Sequence, residues 1–424
     1  MKNKGKEYKF VKNKLKQFLL NALRWTLKEL SELTIWRYRP GIVGITGSVG
    51  KTSAKFAIAA VLGRERSIRY AKGNFNNELG LPLTILGAWE KIEGKFFWLK
   101  VIFVSIWRVI YKINYPEILI LEYGVDRPGD MKYLLSIARP NVAIITAIGE
   151  IPAHVEFFSG AEDVAKEKSK IIESLPAAGF AILNYDDETI IDLKERTRAH
   201  VVTFGFEKGA GVRVTGFEQK SDGARPVGVS FKLEYGGSFV PVRLDGVYGR
   251  VQGYAAAAAA SVGLIFGMNL VKISEGLSHY EPASHRMNIV PGVKSTYILD
   301  DVYNASPASV YAALDTLRTL PAVRRVAVLG DMLEIGKYTM QAHEKVGAIA
   351  AKVLDVLFVV GPRAKFIADG ARSGGMAKRN IFEFDSAAEA APKVQEILRK
   401  GDLVLVKGSH AMKLEKVVEE IRAF

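Results

Sequence analysis

GIVGITGSVGKTSAK, residues 41–55, reads as a buried strand, a glycine-rich turn and the start of a helix. Glycines there let backbone N–H groups close around phosphate oxygens, and the helix N-terminus adds partial positive charge. The ending Gly50-Lys51-Thr52-Ser53 assigns Lys51 to the β/γ-phosphates and the Thr52 hydroxyl to Mg²⁺, with Gly47, Ser48 and Ser53 in the same cradle. The commoner phosphate loop has a glycine where this chain has Ile45; here Gly44, Gly47 and Gly50 recur every third residue. The bland alternative is an ordinary tight strand–helix turn, and the Gly-Lys-Thr-Ser ending favours phosphate.

The remaining composition bounds what such a loop serves. The 424 residues are 49% hydrophobic and 25% charged, enough for two or three domains with real cores. With no cysteine there is no disulfide, thiol nucleophile or Cys-based zinc ribbon. Six histidines without paired spacing argue against a dedicated transition-metal site. The net charge of +14 is localised: residues 1–40 hold 11 Lys+Arg against 3 Asp+Glu, and residues 91–115 hold 5 against 1. Both segments are apolar as well as basic, which suits an anionic membrane surface better than a nucleic-acid groove; no nucleic-acid partner is expected. The basic N-terminus is not followed by an uninterrupted apolar core and a cleavage site, so the expected location is cytoplasmic, at the inner face of the membrane.

Residues 6–35 read as a basic amphipathic helix in which Phe10, Leu15, Phe18, Leu19, Leu23, Trp25, Leu27 and Leu30 alternate with Lys9, Lys12, Lys14, Lys16, Arg24 and Lys28. It is too charged to span a bilayer and either lies in the membrane interface or packs on the next domain. Residues 95–113 form a second such helix. Lys100, Arg108, Lys112 and Ser105 share roughly 140° of its wheel, and Trp98, Trp107 and Tyr111 suit headgroup depth. Between the two, Asn74-Phe75-Asn76-Asn77 suits a loop around a polar ligand, or a plain surface turn.

Residues 117–122 (EILILE) end a buried strand on Glu122, where ligands sit in open α/β sheets. Residues 141–148 form another strand, running into a loop with His154, and residues 161–175 a helix carrying Lys166, Lys168 and Lys170. Residues 200–245 alternate apolar and polar around Gly turns, predicting a small antiparallel sheet. Beyond Arg286, strands near 297–301, 325–329, 355–360 and 403–406 alternate with helices near 307–319, 340–353, 386–399 and 411–422. The expected fold is therefore α/β: a P-loop central domain with a mostly parallel sheet plus a small antiparallel sheet, then a C-terminal Rossmann-like α/β domain. The expected domains are 1–38 (basic helix), 39–284 (central, with an apolar-basic insertion at about 91–115) and 285–424.

Taken together, these runs resemble the Mur ligases, the ATP-dependent amide ligases of cell-wall peptide synthesis. The resemblance covers residues 41–424 and rests on GITGSVGKTSAK, NFNNELGLPL, the EYG at Glu122, the His154 loop, VAKEKSK at 164–170, SHRM at 284–287, DDVYNASPAS at 300–309, GDMLEIG at 330–336 with His343, and VKGSH at 406–410. It is nearest the branch that adds D-alanyl-D-alanine to the muramoyl tripeptide. The resemblance implies ATP and two Mg²⁺ ions as cofactors. It implies Thr52, Glu122, His154 and a carbamylated Lys168 as metal ligands. It places Asn76, Asn77, Arg286, Asp301 and Asn304 around the nucleotide, and Asp331, Lys407 and Ser409 near the incoming amine. Lys51, Glu122, His154 and Lys168 are the implied catalytic set. The partners are a carboxylate-bearing peptide precursor and an amino acid or dipeptide, with peripheral contact to an anionic membrane through 6–35 and 95–113.

Three departures accompany it. The related enzymes grip the UDP-sugar with a whole N-terminal domain, whereas about 40 residues precede the loop here. The family's His and Asn motif reads Gly249-Arg250-Val251-Gln252-Gly253-Tyr254-Ala255, so the Asn expected at adenine is Ala255. Residues 95–113 form an insertion. A Mur-type ligase acting on a lipid-linked or non-muramoyl substrate is the alternative within the class, and a non-catalytic ATP-binding membrane scaffold the alternative outside it.

Overall fold

The computed structural model describes residues 2–223 and 225–423, with side chains from Lys14 onward except Leu15. Lys9, Phe10, Lys12 and Leu15 of the expected apolar-basic run thus lie outside the described side chains. The first sheet has nine strands: β1 (Gly41–Thr46), β2 (Ile68–Tyr70), β3 (Ile118–Glu122), β4 (Val142–Ile145), β5 (Phe180–Asn184), β6 (His200–Gly205), β7 (Val212–Asp222), β8 (Arg225–Tyr235) and β9 (Ser238–Asp245). They lie in the order β2-β3-β1-β4-β5-β6-β7-β8-β9. β3 and β4 are buried throughout and pair in parallel on either side of β1, so these apolar runs need helices on both faces.

Those helices are α1 (Lys2–Tyr38), α2 (Lys51–Leu62), α3 (Gly80–Leu86), α4 (Phe97–Tyr111), α5 (Asp130–Ile137), α6 (Ala161–Glu173), α7 (Glu188–Ile191), α8 (Arg250–Ile265) and α9 (Leu270–Leu277). The alanine run of α8 is buried, and its small side chains let α8 lie close to α2 over the sheet. The antiparallel part expected over 200–245 is an edge ribbon of the same sheet. β6 is parallel to β5, and only β7–β8 and β8–β9 are antiparallel pairs. β6 is exposed at His200 and Val201 and becomes buried by Phe204 and Gly205.

The second sheet runs β10 (Asn288–Gly292), β11 (Thr296–Asp300), β15 (Asp402–Lys407), β12 (Arg324–Gly330), β13 (Val356–Val360) and β14 (Ile381–Phe384). All its pairs are parallel except β10–β11. The sequence reading missed its two edges. β14 is only four residues long and includes exposed Glu383, and β10 contains Pro291, which edge strands tolerate. It also missed α12 (Lys365–Ser373), which lies between α10 (Pro307–Thr319), α11 (Thr339–Ala350) and α13 (Ala387–Ile397), α14 (Glu415–Ile421).

The β1 and β3 ends of the first sheet face Asp301, Leu333 and Lys407 of the second across one cavity. To one side, α1, α3 and α4 form a small core of their own around Leu27, Leu83, Leu86, Phe97 and Val101.

Candidate active site

The phosphate loop joins β1 to α2, and its shape depends on two glycines. Gly47 (φ 144°) sits where a Cβ would fall 2.2 Å from Thr146 Oγ1, and Gly50 (φ 87°) is the residue before α2. Only glycine takes these positions without strain. Ser48 N donates to Ala147 O at 2.6 Å, pinning the loop to the end of β4. Lys51 Nζ donates to Gly47 O at 2.8 Å, so its amine is folded back over the loop. Burial lowers its pKa, with Glu122 opposing.

Glu122 ends β3 beneath the loop. Its Oε2 lies 3.2 Å from Thr52 Oγ1 and 3.2 Å from Lys55 Nζ, and its Oε1 accepts from Asn76 Nδ2 at 3.3 Å. Burial alone would raise its pKa, but Lys55, Lys51 and Arg286 outweigh it and hold the carboxyl below the usual range. Lys55 was missed, although it stands one helical turn beyond Lys51 in the opening stretch. Buried, it balances the Glu122 charge. Ser53 is buried in the first turn of α2.

His154 (φ 66°) has Nε2 3.2 Å from Asp126 Oδ1 and Nδ1 2.6 Å from Glu334 Oε2. The Nδ1 approach lacks hydrogen-bond geometry, which leaves that atom without a partner. Burial lowers the imidazole pKa against the pull of both carboxylates. Asp126 and Glu334 were not anticipated. Glu334 belongs to the C-terminal half, and its carbonyl also accepts from Glu156 N at 3.2 Å, so this contact joins the two halves. Lys168, on α6, is buried, and burial first and then Lys51 push its pKa down to about 7.

The opposite wall is built on the second sheet. Lys407 Nζ, at the tip of β15, lies 2.5 Å from Asp301 Oδ2 and 2.9 Å from Asn304 O. The Arg286 guanidinium lies 3.9 Å over the Tyr303 ring. Ser409 Oγ accepts from Leu333 N at 2.9 Å. The cavity between them is about 480 Å³ and draws Ser48, Lys51, Asn76, Glu122 and His154 from one side and Arg286, Asp301, Asn304, Lys407 and Ser409 from the other.

Five expected residues do not line the cavity: Gly47, Thr52 and Lys168, and also Asn77 and Asp331, whose side chains serve backbone N–H groups. Asn77 Oδ1 accepts from Leu79 N (3.2 Å) and Gly80 N (2.9 Å), so it shapes the start of α3. Asp331 Oδ1 accepts from Arg363 N (3.0 Å) and Ala364 N (2.7 Å), tying β12 to the loop before α12. Neither lines the cavity. Asp331→Ala is therefore expected to lower stability by about 1–3 kcal/mol through the two orphaned N–H groups. The KM for the amine should stay within about twofold, since a side chain outside the cavity makes no uniform-binding contact there. Urea unfolding beside initial rates checks this, and a large KM change without loss of stability refutes it.

The four expected metal ligands do not converge on one point. Thr52 and Glu122 touch, while His154 stands with Asp126 and Glu334. Among the described residues no three acidic or histidine side chains close around a common centre. The donors nonetheless suit a hard cation bound partly through phosphate oxygens. Ser48 Oγ is buried without a hydrogen-bond partner, and Ser48 and His154 both line the cavity.

A phosphate loop on one α/β layer, faced by the basic and acidic strand tips of a second, defines a two-domain nucleotide-binding protein. The chain belongs to the Mur ligase family, whose members are ATP-dependent ligases. The Mur ligase middle domain matches residues 104–262, and the Mur ligase, glutamate ligase domain, matches residues 285–410. The chain is 30% identical over 397 residues to the UDP-N-acetylmuramoyl-tripeptide--D-alanyl-D-alanine ligase of Bacillus subtilis, covering 93% of this chain and 79% of the relative. It is 32% identical over 403 residues to the ligase of the same name from Mycobacterium tuberculosis strain H37Rv (90% and 73%). The solved MurF ligase of Thermotoga maritima in complex with ADP superposes with a TM-score of 0.77 at 28% identity, over 94% of this chain and 83% of that one.

Proposed function

We propose that the chain joins a carboxylate of a cell-wall peptide precursor to D-alanyl-D-alanine with hydrolysis of ATP to ADP and phosphate. The observation that carries this is a single cavity with Lys51, Asn76 and Glu122 on one wall and Lys407, Asp301 and Arg286 on the other. A carboxylate is a poor acyl donor. Attack of its oxygen on the γ-phosphate gives an acyl phosphate, and the incoming amine attacks the acyl carbon. The tetrahedral intermediate then collapses, expelling phosphate. Lys51 neutralises charge on the transferring phosphoryl group, the loop N–H groups hold the phosphates, and Arg286 on Tyr303 is poised at the nucleotide. Lys407, fixed by Asp301, stands on the amine side. The two walls exclude water from the acyl phosphate.

Magnesium would supply further charge neutralisation, one ion held by Thr52 and Glu122 and a second by His154 and a carbamate on Lys168. Asn76 and Asn304 complete the nucleotide surroundings, and Ser409 the amine side. ATP consumption assigns the reaction to the cytoplasm. The domains fall at 1–38, 39–284 and 285–424. The test is phosphate release with Mg²⁺-ATP across UDP-linked, lipid-linked and free muramoyl peptides, each paired with D-alanyl-D-alanine or single amino acids. Amine-dependent release with at least one pair is expected, and none with any pair removes the ligase reading.

A further inference from the structure

Helix α4 is mounted with its apolar side outward. Phe96, Leu99, Phe103, Ile106, Trp107 and Ile110 recur at three- and four-residue spacing and are each at least 44% exposed. Ser105 and Arg108 turn the other way. Ser105 is buried and donates to Val101 O at 2.6 Å, and Arg108 Nη1 donates to Leu86 O at 2.9 Å. A surface helix of a water-bathed domain has the opposite arrangement. A continuous aromatic stripe of this kind marks a binding surface.

We propose that this face of α4, with the adjoining outer side of α1, docks the protein on an anionic lipid bilayer. Charge selects the occupant. Helix α4 contains no acidic residue, and exposed Lys95, Lys100 and Lys112 flank the stripe. Residues 1–40 and 91–115 together carry +12 of the chain's +14. A second copy of the chain meeting this one face to face would set Lys95, Lys100 and Lys112 against the same three cations. Exposed Trp25 and Trp36 on α1 and Trp107 on α4 have the amphipathic rings that settle at headgroup depth. No helix among the described residues is long and apolar enough to cross a membrane, so the contact is peripheral.

The docking face is rigidly joined to the catalytic body. Tyr38 OH donates to Arg108 O at 2.6 Å, closing α1 on α4. Arg24 Nη2 lies 2.5 Å from Glu78 Oε1, and Phe75 and Leu79 pack on the core shared by α1 and α4. The asparagine loop that reaches Glu122 is thus seated on the membrane-facing unit.

All five tryptophans (Trp25, Trp36, Trp89, Trp98 and Trp107) lie in or beside this unit, so selectively excited tryptophan emission reports on it alone. The test titrates the full chain with phosphatidylglycerol/phosphatidylcholine vesicles and with phosphatidylcholine vesicles. It reads tryptophan emission and co-sedimentation, and needs no turnover, so its failure leaves the ligase reading standing. Expected are a blue shift and at least about tenfold tighter binding to the anionic vesicles, weakened by salt. The double variant F103D/I106D should lose at least about tenfold in binding with thermal unfolding unchanged. Should that variant fail to fold, K100E/K112E is expected to weaken binding to the anionic vesicles at least about threefold and to lower its salt dependence. Equal partitioning with both vesicle types overturns the proposal. So does unaltered binding by folded variants, or a concentration-dependent dimer that the variants abolish in place of vesicle binding.

Discussion

Lys51→Ala is expected to slow amine-dependent phosphate release by about 10³-fold or more, the scale set by removing a preorganised charge from a phosphoryl-transfer site. The side chain is well placed for such an effect. Its amine already lies over the loop, 2.8 Å from Gly47 O, and the side chain is partly buried at the cavity wall. Glu122 and Lys55 below it form a buried pair that survives the substitution, so thermal unfolding should move by no more than a few degrees. Equilibrium nucleotide binding separates two roles. If Lys51 acts in the transition state, kcat falls far more than affinity for ATP. A loss confined to the nucleotide Kd would show that Lys51 only holds the ground state. Full activity in the variant would return the scaffold alternative.

The parts of this site that the sequence disclosed are those fixed by local structure. Lys51 and Thr52 follow from the strand–loop–helix pattern, and Glu122, Asp301 and Lys407 from standing at or just past the C-terminal ends of apolar strands. What it concealed depends on orientation or on closure between halves. Asp331 and Asn77 are polar residues at strand or helix ends like the others. Whether such an oxygen meets a ligand or a nearby backbone N–H is settled by a rotation of the side chain, which no periodicity encodes. Asp126 and Glu334 come together at His154 only because the two halves meet there, across some two hundred residues of chain. The wheel of α4 was legible, but which side of it is covered is decided by α1 and α3.

The coupling of Lys55 to Glu122 bears on the metal. A carboxylate with a lysine at 3.2 Å is already charge-balanced. A cation arriving at Thr52 and Glu122 therefore meets a carboxylate already offset by Lys55, with Lys51 and Arg286 adding further positive charge, and its affinity must draw on the phosphate oxygens it meets. Magnesium would then enter with the nucleotide rather than ahead of it, in keeping with its habit of retaining several non-protein oxygens.

Lys168→Ala is expected to lower the rate by about 10²–10³-fold, and the dependence of the native protein on pH and CO₂ should show why. A buried amine with a pKa of about 7 is substantially neutral at physiological pH, and the neutral form is the one that adds CO₂ to give a carbamate. Activity should therefore fall as pH drops below about 7 and recover in part on adding bicarbonate at fixed pH. Small carboxylates such as formate should partly restore Lys168→Ala by occupying the space left by the side chain. Stability carries an independent signature. An unfolded lysine titrates near 10.4, so between about pH 7 and 10.4 the unfolded chain binds a proton that the folded amine does not. The unliganded protein should gain stability as pH rises through that window, because the penalty of burying the ammonium, present in full below pH 7, is relieved. Lys168→Met should flatten that slope. A native protein whose rate is indifferent to thorough CO₂ removal, with a Lys168→Ala variant deaf to formate, would make Lys168 a cation serving Lys51 and Asp126 electrostatically, and the second metal position would lose its ligand.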